Sequence, residues 1–128
     1  MSHGHILLVE DDDTMADAVA LVLRLDGYEV DLATDGTEGI ERARESRPEV
    51  ILLDPYILGV SGAEFVEAVR TDPVIARTPI VLMTPGMQPT PNPTGHGVLL
   101  EPVNVHELFA AVHDLLGDRT PNHPHASA

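Results

Sequence analysis

A doubly wound α/β fold, a parallel sheet with helices on both faces, is what this sequence predicts. Three observations predict it. Strand-like and helix-like patterns alternate from residue 5 to about 116, and such alternation implies parallel strands joined by right-handed crossovers. The run Glu49–Leu53 is the most apolar, as befits a central strand buried on both faces. Three strand-like runs end in carboxylates: Ile6-Leu7-Leu8-Val9 before Glu10-Asp11-Asp12-Asp13, Val50-Ile51-Leu52-Leu53 before Asp54, and Gly97-Val98-Leu99-Leu100 before Glu101-Pro102. In an open α/β sheet ligands bind in the crevice beyond those carboxyl ends.

The elements follow in order. After a first strand over about 5–10, Met15, Val19, Val22 and Leu23 recur at helical spacing, with Asp12 or Asp13 as the cap. Gly27 stops that helix, and Tyr28–Ala33 reads as a second strand. Asp35-Gly-Thr-Glu38 opens a second helix at capping-box spacing, and Pro48 follows its end. After the central strand, Ser61-Gly-Ala-Glu64 is a second capping box, with Phe65, Val66 and Val69 as the apolar face behind it. Pro79–Met83 and Gly97–Leu100 make the fourth and fifth strands. Between them Pro85, Gly86, Pro89, Pro91, Pro93 and Gly95 forbid a helix, so a Pro-rich loop replaces the fourth helix and leaves apolar sheet surface uncovered. Asn104-Val-His-Glu107 caps a last helix with Val105, Leu108, Phe109, Val112, Leu115 and Leu116 on one stripe. One domain over 1–118 and a disordered tail over 119–128 result.

Composition excludes several classes. A net charge of −14 repels DNA and anionic membrane surfaces. All seven basic residues are arginine, which removes Schiff-base and Walker-type lysine chemistry. Without cysteine there is no disulfide, zinc-thiolate site or thiol nucleophile. No apolar stretch is long enough to span a membrane and no leader precedes the first strand, so a cytoplasmic location is expected. His3, His5, His123 and His125 read as incidental residues of mobile ends, and His106 and His113 as solvent-facing on the last helix.

Glu10, Asp11 and Asp54 end the two strands expected at the centre of the sheet. Converging carboxylates repel unless a cation lies between them or some are protonated. With a backbone carbonyl they supply hard oxygen ligands for Mg²⁺. A carboxylate beside such an ion can accept a phosphoryl group as an acyl phosphate, and the Thr84 hydroxyl stands at the end of the fourth strand. Asp12 and Asp13 read as helix caps instead.

In this order and spacing, Ile-Leu-Leu-Val-Glu10-Asp11, Ile-Leu-Leu-Asp54, Gly59-Val-Ser-Gly62 and Pro-Ile-Val-Leu-Met-Thr84 resemble the receiver domain of bacterial two-component response regulators. The resemblance covers about His5 to Leu116. It implies a five-stranded sheet of order 2-1-3-4-5. It implies Mg²⁺ held by Glu10, Asp11, Asp54 and the Tyr56 carbonyl, with Asp54 as phosphoacceptor from a phosphohistidine on a sensor kinase, and Thr84 as the switch hydroxyl.

Five departures accompany the resemblance. Glu101 occupies the position of the family's phosphoryl-pairing lysine. At about 4 Å and an effective dielectric near 20, a unit-charge pair is worth up to roughly 4 kcal/mol, so the reversal weighs on the phosphorylated state. Pro85 removes the backbone N–H that follows the switch threonine. Leu58 replaces a usual proline, Val98 a frequent aromatic, and the Pro-rich loop the fourth helix. Receivers with such losses are called pseudo-receivers.

The expected function is a stand-alone, atypical receiver. It is not an enzyme, and its partners are a sensor histidine kinase or phosphotransfer protein and a downstream protein. The rival is a phosphorylation-independent interaction module, dimerising through the face left by the lost helix. An aspartate-nucleophile phosphatase would need a second Asp where Tyr56 stands, and a lysine.

Overall fold

The computed structural model describes residues 4–57, 60–85, 98–101, 108, 110, 112, 113 and 116. The Pro-rich segment 86–97, Leu58, the cap Asn104–Glu107, the tail, and His3, His106, His123 and His125 lie outside the described residues. The chain runs through β1 (His5–Val9), α1 (Asp13–Leu25), β2 (Glu29–Ala33), α2 (Gly36–Ser46), β3 (Val50–Leu53), α3 (Gly62–Thr71), β4 (Ile80–Pro85) and β5 (Val98–Glu101). The sheet is parallel, and the order β2-β1-β3-β4 meets the expectation. β5 pairs with β4 on the far side.

Successive strand residues feed opposite layers, as the period of two requires. Ile6, Leu8, Val50, Leu52, Val81 and Met83 pack with Val19, Ala20 and Leu23 of α1 and with the helical residues Leu108, Val112 and Leu116. Leu7, Val9, Ile51, Leu53, Ile80 and Leu82 pack with Ala43 of α2 and Phe65, Val66 and Val69 of α3. Each Val, Leu, Ile, Met or Phe side chain among these contributes about 1.5–3 kcal/mol on burial. All four β3 residues are buried. A one-residue slip there would still put apolar groups in both layers, so the polar strand ends hold the register by resisting burial.

The helix ends show how local chemistry sets these bounds. At the end of α1, Gly27 takes φ 95°, its N–H donates to the Arg24 carbonyl, and the Tyr28 N–H donates to the Leu23 carbonyl. This is a Schellman closure, with Tyr28 and Leu23 buried in one cluster behind it. Tyr28 therefore belongs to the turn, and β2 begins one residue later than the pattern suggests. Ser61 and Glu64 form the expected reciprocal capping box. Asp35 does cap α2 by accepting from the Glu38 N–H, but the Glu38 carboxylate turns to the Thr34 N–H at 2.8 Å. That hydrogen bond holds the Glu38 carboxyl below its usual range.

Two expectations are corrected. β4 runs on through Thr84 and Pro85, with Thr84 opposite Leu100 and Pro85 opposite Glu101. Proline is tolerated at a strand end because it removes only a donor. Ile80, Val81, Leu82 and Met83 are all buried. Two histidines are also tied down. His5 begins β1, and its Nε2 lies 2.9 Å from Asp31 Oδ2 because Asp31 is the diagonal neighbour of His5 across the β1–β2 ladder. His113 is half-buried, with Nε2 3.2 Å from Asp26 Oδ2 and its ring against Tyr28.

Candidate functional site

The two acid-bearing strand ends are held side by side by backbone bonds. The Glu10 N–H donates to the Ala33 carbonyl and the Asp54 N–H to the Val9 carbonyl, both at 3.0 Å. The parallel ladder thus continues one residue beyond β1 and β3, which pair Val9 with Leu53. Glu10 is 3% exposed, whereas Asp11 and Asp54 reach solvent. Carboxylate oxygens of the three lie within 4.8 Å of one another.

The neighbouring loops fix this arrangement. Asp12 belongs to α1: its Oδ1 accepts from the Met15 N–H at 3.1 Å, while its own N–H donates to Glu10 Oε2 at 3.2 Å. Beyond β3, Asp54 Oδ1 accepts from the Tyr56 N–H at 2.9 Å, closing an Asx turn over Pro55. The Tyr56 side chain is 64% exposed. The Pro55 carbonyl accepts from the Gly62 N–H at 3.1 Å, which docks the loop on the start of α3. A Cβ at Gly62 would come within 2.8 Å of Pro55, so only glycine allows that approach.

This donor set suits a hard divalent cation. Three like charges at this spacing raise one another's energy, and a cation among them reverses the sign of the interaction. Carboxylate oxygen is the ligand type that Mg²⁺ and Ca²⁺ take. Glu10, Asp11 and Asp54, singled out in the sequence, are thus brought together, with the Tyr56 backbone two residues on. Thr84 and Glu101 lie further along the same edge: Leu82 is level with Leu53 on one side and Val98 on the other, and both residues follow that level. A surface depression lined by Glu41, Arg44, Glu45, Arg47 and Val74 contains none of the three acids. The Gly62–Pro55 clamp is not legible from spacing, although the Asp54-Pro55 adjacency that shapes the loop is plain in the sequence.

The family model described as "Response regulator receiver domain" matches residues 6–112. The chain belongs to that family. The receiver resembles the uncharacterized transcriptional regulatory protein YkoG of Bacillus subtilis (strain 168), at 34% identity over 118 residues, 88% of this chain and 50% of YkoG. The receiver is similar in structure to the chemotaxis response regulator CheY4 of Vibrio cholerae, with 31% identity and a TM-score of 0.79 over 90% of this chain and 98% of that one. It is also similar to the receiver domain of sensor histidine kinase PA1611 from Pseudomonas aeruginosa PAO1, with 26% identity and a TM-score of 0.81 over 89% and 98%. The PA1611 structure has a magnesium ion coordinated in its active site cleft. The chain spans half the length of YkoG and a third (33%) of the transcriptional regulatory protein CseB of Streptomyces avermitilis. Receivers of this family are modules of two-component and phosphorelay signal transduction rather than enzymes. Among the described residues, no helix is long and apolar enough to cross a membrane.

Proposed function

We propose that this receiver takes a phosphoryl group on Asp54, in a Mg²⁺-dependent reaction, and passes the signal to a protein partner through an impaired switch. The observation that carries the reading is the convergence of Glu10, Asp11 and Asp54 oxygens within 4.8 Å at the carboxyl ends of β1 and β3. Glu10, Asp11, Asp54 and the Tyr56 carbonyl would hold Mg²⁺. When bound, the ion supplies positive charge against the phosphoryl oxygens as they approach. The chain's own residues do the rest. Asp54 offers its carboxylate oxygen as nucleophile. The Asx turn holds the Tyr56 N–H at 2.9 Å from Oδ1, which orients the carboxylate. Thr84, near the end of β4, would donate its hydroxyl to the transferred group.

The donor is a phosphohistidine on a sensor kinase or phosphotransfer protein. The domain would span residues 1–118, in a cytoplasmic setting. Glu101 in place of lysine and Pro85 in place of an N–H donor weaken the response to phosphorylation. These two residues favour a second reading, in which the fold is a phosphorylation-independent module that dimerises or binds one partner.

Acetyl phosphate with Mg²⁺, followed by intact mass, separates the two readings. The first expects an adduct of about 80 Da that is lost without Mg²⁺ and in Asp54→Ala. Wild type that stays unmodified while Glu101→Lys takes the adduct supports the second.

A further inference from the structure

Every aspartate that becomes an acyl phosphate acquires an intramolecular hazard, and the residue after Asp54 bears on it. An acyl phosphate is an activated carbonyl. The nitrogen of the following peptide bond lies in the same chain, at the spacing that closes a five-membered succinimide ring. In that reaction the amide nitrogen forms a bond to Cγ of the aspartate. The bond from Cγ to the phosphoryl-bearing oxygen breaks, inorganic phosphate leaves with its electron pair, and the amide proton passes to water. The ring later reopens to isoaspartate as well as aspartate, so the acceptor is lost.

Here that nitrogen belongs to Pro55. It already bears three carbons and has no proton to lose. Attack by it would create a charged acyl-ammonium that can only collapse back. The first N–H after the acceptor is that of Tyr56, and it is engaged with Asp54 Oδ1 at 2.9 Å. The Gly62 N–H bond to the Pro55 carbonyl keeps this turn in place. The chain offers its own contrast: Asp26-Gly27 and Asp35-Gly36 are Asp-Gly pairs, in which the following nitrogen carries a proton and no side chain shields it.

We infer that Pro55 is a protecting and positioning residue for the acceptor: it closes the succinimide exit from the Asp54 acyl phosphate, leaving only attack at the phosphoryl group or by water. This rests on the phosphorylation reading above. It assigns Pro55 a role that neither the acid cluster nor the switch residues carry.

The test uses the full chain, with Pro55→Gly and Pro55→Ala, incubated with acetyl phosphate and Mg²⁺ and read by intact and peptide mass. Wild type is expected to gain about 80 Da and return to its starting mass after the donor is removed. Both variants are expected to gain an adduct of about 80 Da, in lower yield as the turn over residue 55 loosens, and then to accumulate a species about 18 Da lighter than the starting chain, mapped to residues 54–55. The Asp26-Gly27 and Asp35-Gly36 peptides report cyclisation without activation, and the residue 54–55 product must exceed theirs and depend on acetyl phosphate. Adduct in the variants that reverts cleanly overturns the inference while leaving the phosphorylation reading intact. No adduct in any chain overturns the phosphorylation reading, and the inference with it.

Discussion

The carboxyl edge of the sheet has two halves that differ in kind. At β1 and β3, backbone bonds from Glu10 and Asp54 extend the ladder and set three carboxylates within 4.8 Å of one another. At β4 and β5, Pro85 stands opposite Glu101, so the paired strand ends carry a missing donor and an added negative charge. On the proposed function, the contrast makes gathering a cation and responding to a phosphoryl group separable tasks. The first needs acids close together. The second needs donors and a positive charge at a distance set by neighbouring strands.

The predictions act on that contrast, from the largest effect to the smallest. Glu101→Lys should convert the second half toward the first. Replacing a repelling charge by an attracting one changes the Asp54 adduct by up to about twice the roughly 4 kcal/mol of one unit-charge pair, so its yield in acetyl phosphate rises by orders of magnitude. A yield equal to wild type would remove Glu101 from the comparison.

The next test loads the opposite end of the sheet. Burial first, and the Asp26 charge second, push the Tyr28 hydroxyl up to about 12. The unfolded tyrosine ionises near 10. Below that the proton is held in both states and stability does not change with pH on this account. Between about 10 and 12 only the unfolded chain releases it, so stability falls as pH rises through that window. Lysine and cysteine, which also ionise in that range, are absent. Denaturant midpoints at pH 9 and pH 11.5 should converge in Tyr28→Phe; an unchanged pH dependence in that variant refutes the assignment.

Gly62→Ala probes the clamp that serves the first half. The added Cβ meets Pro55 at 2.8 Å, against backbone that has little room to yield. A loss of about 1–3 kcal/mol is expected, with weaker Mg²⁺ binding followed by tyrosine emission in a Tyr28→Phe background, where Tyr56 is the one tyrosine and tryptophan is absent. Wild-type affinity in a destabilised variant would separate the clamp from the metal centre.

Pro85→Ala restores one N–H to the second half and should add about 1 kcal/mol to the adduct, a several-fold change in its lifetime. Combined with Glu101→Lys, a gain greater than the sum would show that donor and cation act on the same group.

Much of this was legible in one dimension. The alternation, Ser61 and Glu64, the stop at Gly27, and the acids at residues 10, 11 and 54 are local patterns, and each is present in the fold. The misreadings share one cause. Glu38 has the spacing for a box with Asp35, yet Thr34 offers a competing N–H one residue earlier. His5 looks like part of a loose terminus until β2 places Asp31 beside it. His113 looks like a solvent residue until Asp26 and Tyr28 meet it from 87 and 85 positions away. Arg47, at φ 49°, closes α2 by donating its N–H to the Ala43 carbonyl, which no local pattern announces.

The sequence alone determined the fold class and the strand ends at which the acids stand. Those follow from periodicity, capping and residue identity, which act over a few positions. Tertiary structure decided that Glu10 is buried while Asp11 and Asp54 face water, that Gly62 clamps Pro55, and that two histidines hold distant aspartates. Burial, close approach and charge pairing depend on what lies across the sheet or on the next helix, and the order of residues along the chain does not encode that directly.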